Sequence, residues 1–274
     1  MTLAASLSQV EPDLARRACD GDRNAVAELV RVMQRPFYNL ALRMLADRSA
    51  AEDAAQECLL RVITHLSQYR EEARFATWAT RIAVNAIFDF KSGVARQSRY
   101  GLDEFALGLA AARDDDAIER PEDALVLKEA KTLCSRALLQ GLDGNHRMAF
   151  VLGEILEFEA EEAAQILEIQ PAAYRKRLSR ARADVTAVLS RSCSVHSAGN
   201  PCACHRTLAS AVATGRLDPT ALEVRIGDLE TLRRRLTVLD AEARTSGMYR
   251  GDETPDLREE VLAKFRLSLF QMAN

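Results

Sequence analysis

"EAEEAAQILEIQPAAYRKRLSRARADV", residues 159–185, reads as an amphipathic helix, a turn, and a second helix opened by a proline. Ala163, Ala164, Ile166 and Leu167 form the apolar side of the first helix. The turn runs from Glu168 to Gln170, and Pro171 takes the first helical position, where a backbone N–H has no partner to lose. In the second helix Tyr174, Leu178, Ala181 and Val185 fall at i, i+4, i+7 and i+11 and make one inward stripe. Opposite lie Ala172, Ala173, Lys176, Ser179, Arg180 and Ala183, while Arg175, Arg177 and Arg182 flank the stripe. Five cations thus stand within eight positions, 175–182, of a chain whose formal charge is −3. A merely solvated charged face carries acids at i±4 to pair its cations. Here only Asp184 is available, and small residues mixed with Lys and Arg suit close approach to a DNA major groove. The pattern is a helix-turn-helix.

Composition extends the helical reading to the rest of the chain. Only 12 Gly and 7 Pro occur in 274 residues, with abundant Ala, Leu, Arg and Glu, which predicts an all-α protein. That length can bury two or three modest cores. No run reaches the roughly 18 apolar residues a membrane helix requires, and no basic segment with an apolar core opens the chain. The expectation is therefore no membrane partner, no export signal and a cytoplasmic location. In a reducing compartment the six cysteines are not a disulfide framework, and Cys19, Cys58 and Cys134, on apolar helical stripes, read as buried thiols.

The stretch "RMAFVLGEILEFEAEEAAQILEIQPAAYRKRLSRARADV", 147–185, closely resembles region 4 of the extracytoplasmic-function (ECF) sigma factors, small sigma-70 relatives that direct bacterial RNA polymerase to promoters. The resemblance implies that the second helix enters the minus-thirty-five element through Lys176, Ser179 and Arg180, the three residues the helical wheel turns outward. Arg175, Arg177 and Arg182 are further candidates for binding this element, at base edges or phosphates. The family usually has Gly in the turn and Gly-Thr at the start of the second helix. Glu168 and Ala172-Ala173 stand there instead, which puts the preferred DNA sequence in question.

"DLARRACDGDRNAVAELVRVMQRPFYNLALRMLADRSAAEDAAQECLLRVITHL", 13–66, resembles region 2 of the same family, including the acidic "AEDAAQE". Ala54, Cys58, Leu59, Val62, Ile63 and Leu66 make an inward stripe, leaving Asp53, Gln56, Glu57 and Arg61 to solvent. From the residues alone, Asp53 and Glu57 could equally be helix-dipole acids. The resemblance makes this polar side the surface that grips core RNA polymerase. In "SQYREEARFATWATRIAVNAIFDFKSGVARQSR", 67–99, it likewise implies a loop and an Asn that hold an unpaired base of the minus-ten element. Asn85, Tyr69, Arg74, Trp78 and Lys91 are the candidate residues, Trp78 more as packing beneath the loop than as a stacking platform. Arg96 and Arg99 could hold phosphates or be solvated surface.

Residues 100–127 are acid-rich and read as a linker, either a plain tether or, as the resemblance implies, a nucleic-acid mimic inside polymerase channels. Beyond about residue 190 the resemblance ends. "CSVHSAGNPCACH" gathers Cys193, His196, Cys202 and Cys204, with His205 as an alternative ligand, into thirteen positions. Structural zinc, a thiol redox switch and an inert loop all fit this spacing. Two further apolar stripes, Leu222 to Leu239 and Leu257 to Leu269, predict a helical hairpin with more apolar surface than one pairing covers.

The resulting expectation has region 2 at 10–99, the linker at 100–127, region 4 at 128–191 and a Cys/His-containing helical extension at 192–274. It describes a non-enzymatic transcription initiation factor that binds core RNA polymerase and promoter DNA, requires no cofactor, with structural zinc in the extension one of the three readings of the cysteine cluster, and is modulated in cis by that extension. An anti-sigma protein is a partner the resemblance leaves open. The alternative is a helix-turn-helix regulator that does not bind polymerase. An enzyme centred on the cysteine cluster is disfavoured, because no general base or nucleophile pair stands near it.

Overall fold

Aspartates start the second and third helices. The chain forms α1 (Pro12–Cys19), α2 (Arg23–Leu45) and α3 (Arg48–Thr64), separated by only two or three residues. The Asp22 carboxylate accepts from the N–H groups of Asn24 and Ala25 at 2.9 and 3.2 Å, and Asp47 accepts from Ala50 at 2.7 Å. Each satisfies N–H groups that the first helical turn leaves without intrahelical partners. Between the helices the chain turns through left-handed backbone at Gly21 (φ 89°) and Ala46 (φ 51°). A short 3-10 turn, Leu66–Gln68, and a loop then lead to α4 (Phe75–Asp89).

The computed structural model describes residues 10, 12–90, 95–97, 99–110, 131, 134–194, 196–197, 199–202 and 204. Among them no helix is long and apolar enough to cross a membrane. Besides α1 to α4 they form α5 (Leu102–Ala110), α6 (residues 134–140), α7 (Gly144–Phe150), a π-helical turn (Val151–Ile155), α8 (Ala160–Ile166) and α9 (Pro171–Ser192). The all-α expectation holds for these residues. The segments read as extension helices, 205–274, lie outside them, as do residues 111–127 of the acidic stretch.

The described residues divide into two units. One comprises the chain up to Gln97 together with Met148–Arg177. Its core is made by Leu29, Met33, Phe37, Leu40 and Met44 of α2, Ala51, Ala54, Cys58 and Val62 of α3, and Ala79, Ala83 and Ile87 of α4, each no more than 1% exposed. Alanines on α3 and α4 let the backbones come close, so that the Cys58 thiol donates to the Ala83 carbonyl at 3.4 Å. Helix α8 belongs to this unit and packs on α4.

The second unit holds Ser98–Arg147 and, among the described residues, those from Leu178 to Cys204. Its α5 is a finding against composition, for the acid-rich stretch begins with a packed helix. Leu109 is buried, the Tyr100 and Phe105 rings stack at 6.1 Å, and Leu102 lies so close to Gly141 that a Cβ there would stand 2.6 Å from its Cδ2. The largest wholly buried side chain is Arg147. Its guanidinium donates to the carbonyls of Leu139 (2.8 Å), Gln140 (3.3 Å) and Leu142 (2.7 Å), where α6 ends and carbonyls lack intrahelical partners. Burial pushes its pKa down to about 10, which still leaves it charged at neutral pH.

Candidate nucleic-acid interface

Helix α8 ends in a Schellman turn. The Ile169 N–H reaches the Ala164 carbonyl at 3.1 Å and the Glu168 N–H reaches Gln165 at 3.3 Å, with Glu168 in left-handed backbone at φ 53°. This is the position usually given to Gly, because an L side chain costs energy there. Pro171 then starts α9, and the Tyr174 hydroxyl fixes the helix by donating to the Ala149 carbonyl at 3.2 Å.

The two sides of α9 are those the periodicity predicts. Tyr174, Ala181 and Val185 are fully buried and Leu178 nearly so. Ala172, Ala173, Lys176, Ser179, Arg180 and Ala183 are exposed, as are Arg175 and Arg182, and Arg177 is half-buried. The outward strip is therefore backbone under small side chains, bordered by cations, a shape that admits a nucleic-acid groove.

What the sequence did not disclose is where α8 directs its acids. Glu161 accepts a hydrogen bond from Arg175 of α9. Glu162 accepts from Arg74, just before α4, at 3.1 Å and from the Thr77 hydroxyl at 3.4 Å. Two adjacent carboxylates thus hold one cation from each candidate DNA surface. The only local hint is the repeated Glu of "EAEEAA"; the partners come from 14 and 88 residues away.

Tyr69, in the loop before α4, clusters with Phe75 and Trp78 of the first turn of that helix, ring centroids 5.2 to 5.7 Å apart. Trp78 is buried and Tyr69 half-buried, its hydroxyl donating to the Ala73 carbonyl at 3.0 Å. The aromatics shape this loop, as expected for Trp78, and Tyr69 is part of the same packing. Asn85 and Arg74 are exposed, and Arg96 lies 4.4 Å over the Phe88 ring. Lys91 lies outside the described residues.

The expected inward stripe of α3 and of Leu66 in the turn after it is buried, save a half-buried Ile63. Asp53 is exposed and Gln56, Glu57 and Arg61 are half-buried. Arg61 is clamped between Glu57 at 2.7 Å and Asp89 of α4 at 2.9 Å, hydrogen bonds that raise its pKa. This pins the polar side of α3 to α4 and presents it as a fixed surface.

Of the cysteine and histidine residues after α9, Cys193 and Cys202 are buried, and Cys204 and His196 are half-buried, with the His196 Nδ1 atom buried and unpartnered. Cys134, read as an ordinary core thiol, lies near Cys193, Cys202 and Cys204, and desolvation foremost pushes its pKa up. Among the described residues no three His, Cys, Asp or Glu side chains converge closely enough to hold a metal ion, and His205 lies outside them.

Two family models match the chain: sigma-70 region 2 over residues 29–97, and sigma-70 region 4 over residues 133–185. The ECF RNA polymerase sigma factor SigW of Bacillus subtilis is 30% identical over 166 residues, 59% of this chain and 87% of that protein. The RNA polymerase sigma-H factor of Pseudomonas aeruginosa is 29% identical, spanning 63% of this chain and 90% of the relative. The ECF RNA polymerase sigma-E factor of Escherichia coli is 27% identical, spanning 62% and 88%. A solved structure of CnrH in complex with the cytosolic domain of CnrY is 22% identical, covering 65% of this chain and 95% of that one at a TM-score of 0.47.

Proposed function

This chain belongs to the ECF RNA polymerase sigma factors, and we propose that it reads the minus-thirty-five element with the outward strip of α9 and the minus-ten element with the loop and exposed face of α4. Lys176, Ser179 and Arg180 are the base-reading residues, and Arg175, Arg177 and Arg182 hold phosphates. Asn85 binds the edge of an unpaired base, with the Tyr69–Phe75–Trp78 cluster holding the loop beside it. Asp53, Gln56, Glu57 and Arg61 form the docking face for core RNA polymerase. The single observation that carries this reading is the outward strip of α9, where all three base-reading candidates are exposed beside exposed alanines. The match to region 2 over residues 29–97 disfavours a regulator without polymerase binding.

The pairing of Arg74 with Glu162 and of Arg175 with Glu161 adds a condition. DNA phosphates have to displace these carboxylates, so the free chain holds part of its cationic surface back. Modulation by the extension beyond Arg191 belongs to the same reading: it acts on a chain that is already partly self-paired.

The test is specific transcription by core polymerase supplemented with the full chain, compared with Lys176→Ala/Arg180→Ala and with Asp53→Ala/Glu57→Ala. The expected result is promoter-specific transcripts from the unaltered chain, loss of them in the first variant with polymerase binding retained, and loss of polymerase binding in the second. Transcripts that survive Lys176→Ala/Arg180→Ala would overturn the assignment of α9.

A further inference from the structure

The chain beyond α9 folds back on the helix end. The Cys193 N–H still reaches the Leu189 carbonyl at 3.0 Å, and the His196 and Ser197 N–H groups close on the Cys193 carbonyl at 3.1 and 3.0 Å. The returning segment donates from the Cys202 N–H to the Ser192 carbonyl at 3.0 Å and accepts at its own carbonyl from Ser194 at 3.1 Å. This is an isolated parallel bridge in which Cys193 and Cys202 are the facing residues.

Facing residues of a parallel bridge present their side chains to the same side, with backbones about 4.8 Å apart. That spacing lies inside the range of about 4.4 to 6.8 Å between Cα atoms that a disulfide accepts. One side chain adds to these backbone bonds in tying the returning segment to the helix end. The Asn200 amide donates to the carbonyls of Leu189 (3.2 Å), Ser190 (2.8 Å) and Cys193 (2.9 Å), capping α9 and holding Cys202 in register. Neither cysteine is in a disulfide, and both are no more than 4% exposed.

We propose that Cys193 and Cys202 form a reversible dithiol–disulfide pair that locks the C-terminal end of α9. With a low-molecular-weight disulfide as oxidant, one thiolate of the pair attacks it, forming a mixed disulfide and releasing one small thiol. The second thiolate then attacks the protein sulfur and releases the other. One S–S bond forms between the cysteines and one is broken in the oxidant. The two protons of the cysteines and the two electrons end on the two small thiols. Because both sulfurs are buried, the exchange proceeds through opening of the Asn200 loop and is slow against an exposed thiol. The chemistry stands apart from promoter recognition; only its effect on transcription rests on that reading.

The experiment treats the full chain with oxidised glutathione, alkylates the remaining thiols and maps the peptides, with reversal by dithiothreitol. The expected result is that two of the six thiols become protected and that a Cys193–Cys202 linked peptide appears and is lost on reduction. Cys193→Ser and Cys202→Ser each abolish the protection, whereas Cys134→Ser and Cys204→Ser retain it. A first disulfide that involves Cys134 or Cys204, six thiols that stay alkylatable, or a purified chain whose thiols are held by stoichiometric zinc would each overturn the proposal. The mapping is read on the unaltered chain, so it does not depend on any variant folding, and failure of the transcription assay leaves its result unchanged.

Discussion

Glu161→Gln tests whether the acids of α8 hold back the cations of α9. The substitution keeps the size of the side chain and removes its charge. The Glu161 and Arg175 side chains are 62% and 58% exposed, so water and salt screen their attraction. An exposed pair of this kind is worth about 0.2 to 1 kcal/mol. DNA has to spend that energy to recruit Arg175, so removing the competitor tightens binding by about 1.4- to 5-fold. The assay is fluorescence anisotropy of holoenzyme on a promoter fragment at fixed salt, run as a double-mutant cycle with Arg175→Ala. Deleting any acid near DNA lowers repulsion, and the cycle subtracts that general effect. The gain from Glu161→Gln should shrink in the Arg175→Ala background to that general part. A gain of equal size in both backgrounds would refute the reasoning, and weaker binding would reverse its sign.

Arg147→Met leaves buried carbonyls at the end of α6 without their donor and should cost about 1 to 3 kcal/mol in denaturant unfolding, the range for a buried polar group left unsatisfied. Glu168→Gly relieves left-handed strain and should stabilise by about 0.5 to 1 kcal/mol, while Glu168→Val should destabilise, both read from thermal midpoints. Trp78→Ala empties the centre of the aromatic cluster and should cost about 3 to 5 kcal/mol, with faster hydrogen exchange across the loop 69–74. Burial raises the Cys204 pKa to about 11, so its alkylation should be slower than that of a free thiol at pH 8 and keep rising with pH toward that value.

The α9 interface was legible because helical periodicity is local: the spacing of Tyr174, Leu178, Ala181 and Val185 determines which residues face out. The turn was legible in place but not in strain, since nothing in "LEIQP" announces that Glu168 takes a conformation suited to Gly. The acid-rich composition of residues 100–127 concealed α5, whose stability comes from Leu102 against Gly141 and from Leu109, contacts that charge counting does not register. Long-range partners were the least legible. Arg74 and Glu162 are 88 positions apart, and no periodicity spans that distance. Cys134 gave no sign of lying near Cys193, Cys202 and Cys204, because its helical stripe is that of any core thiol.

The two carboxylates of α8 also change what ionic strength can reveal. A cation that starts in water releases a fixed fraction of a condensed counterion when it meets a phosphate, about 0.9 per contact on duplex DNA. Arg175 and Arg74 start instead on Glu161 and Glu162. When DNA takes them, the freed carboxylates gather ions of their own, and the net release per contact shrinks. Salt weakens the internal pairs as it weakens the external ones. The slope of binding against salt will therefore count fewer arginines than the DNA touches, and neutralising Glu161 or Glu162 will steepen it.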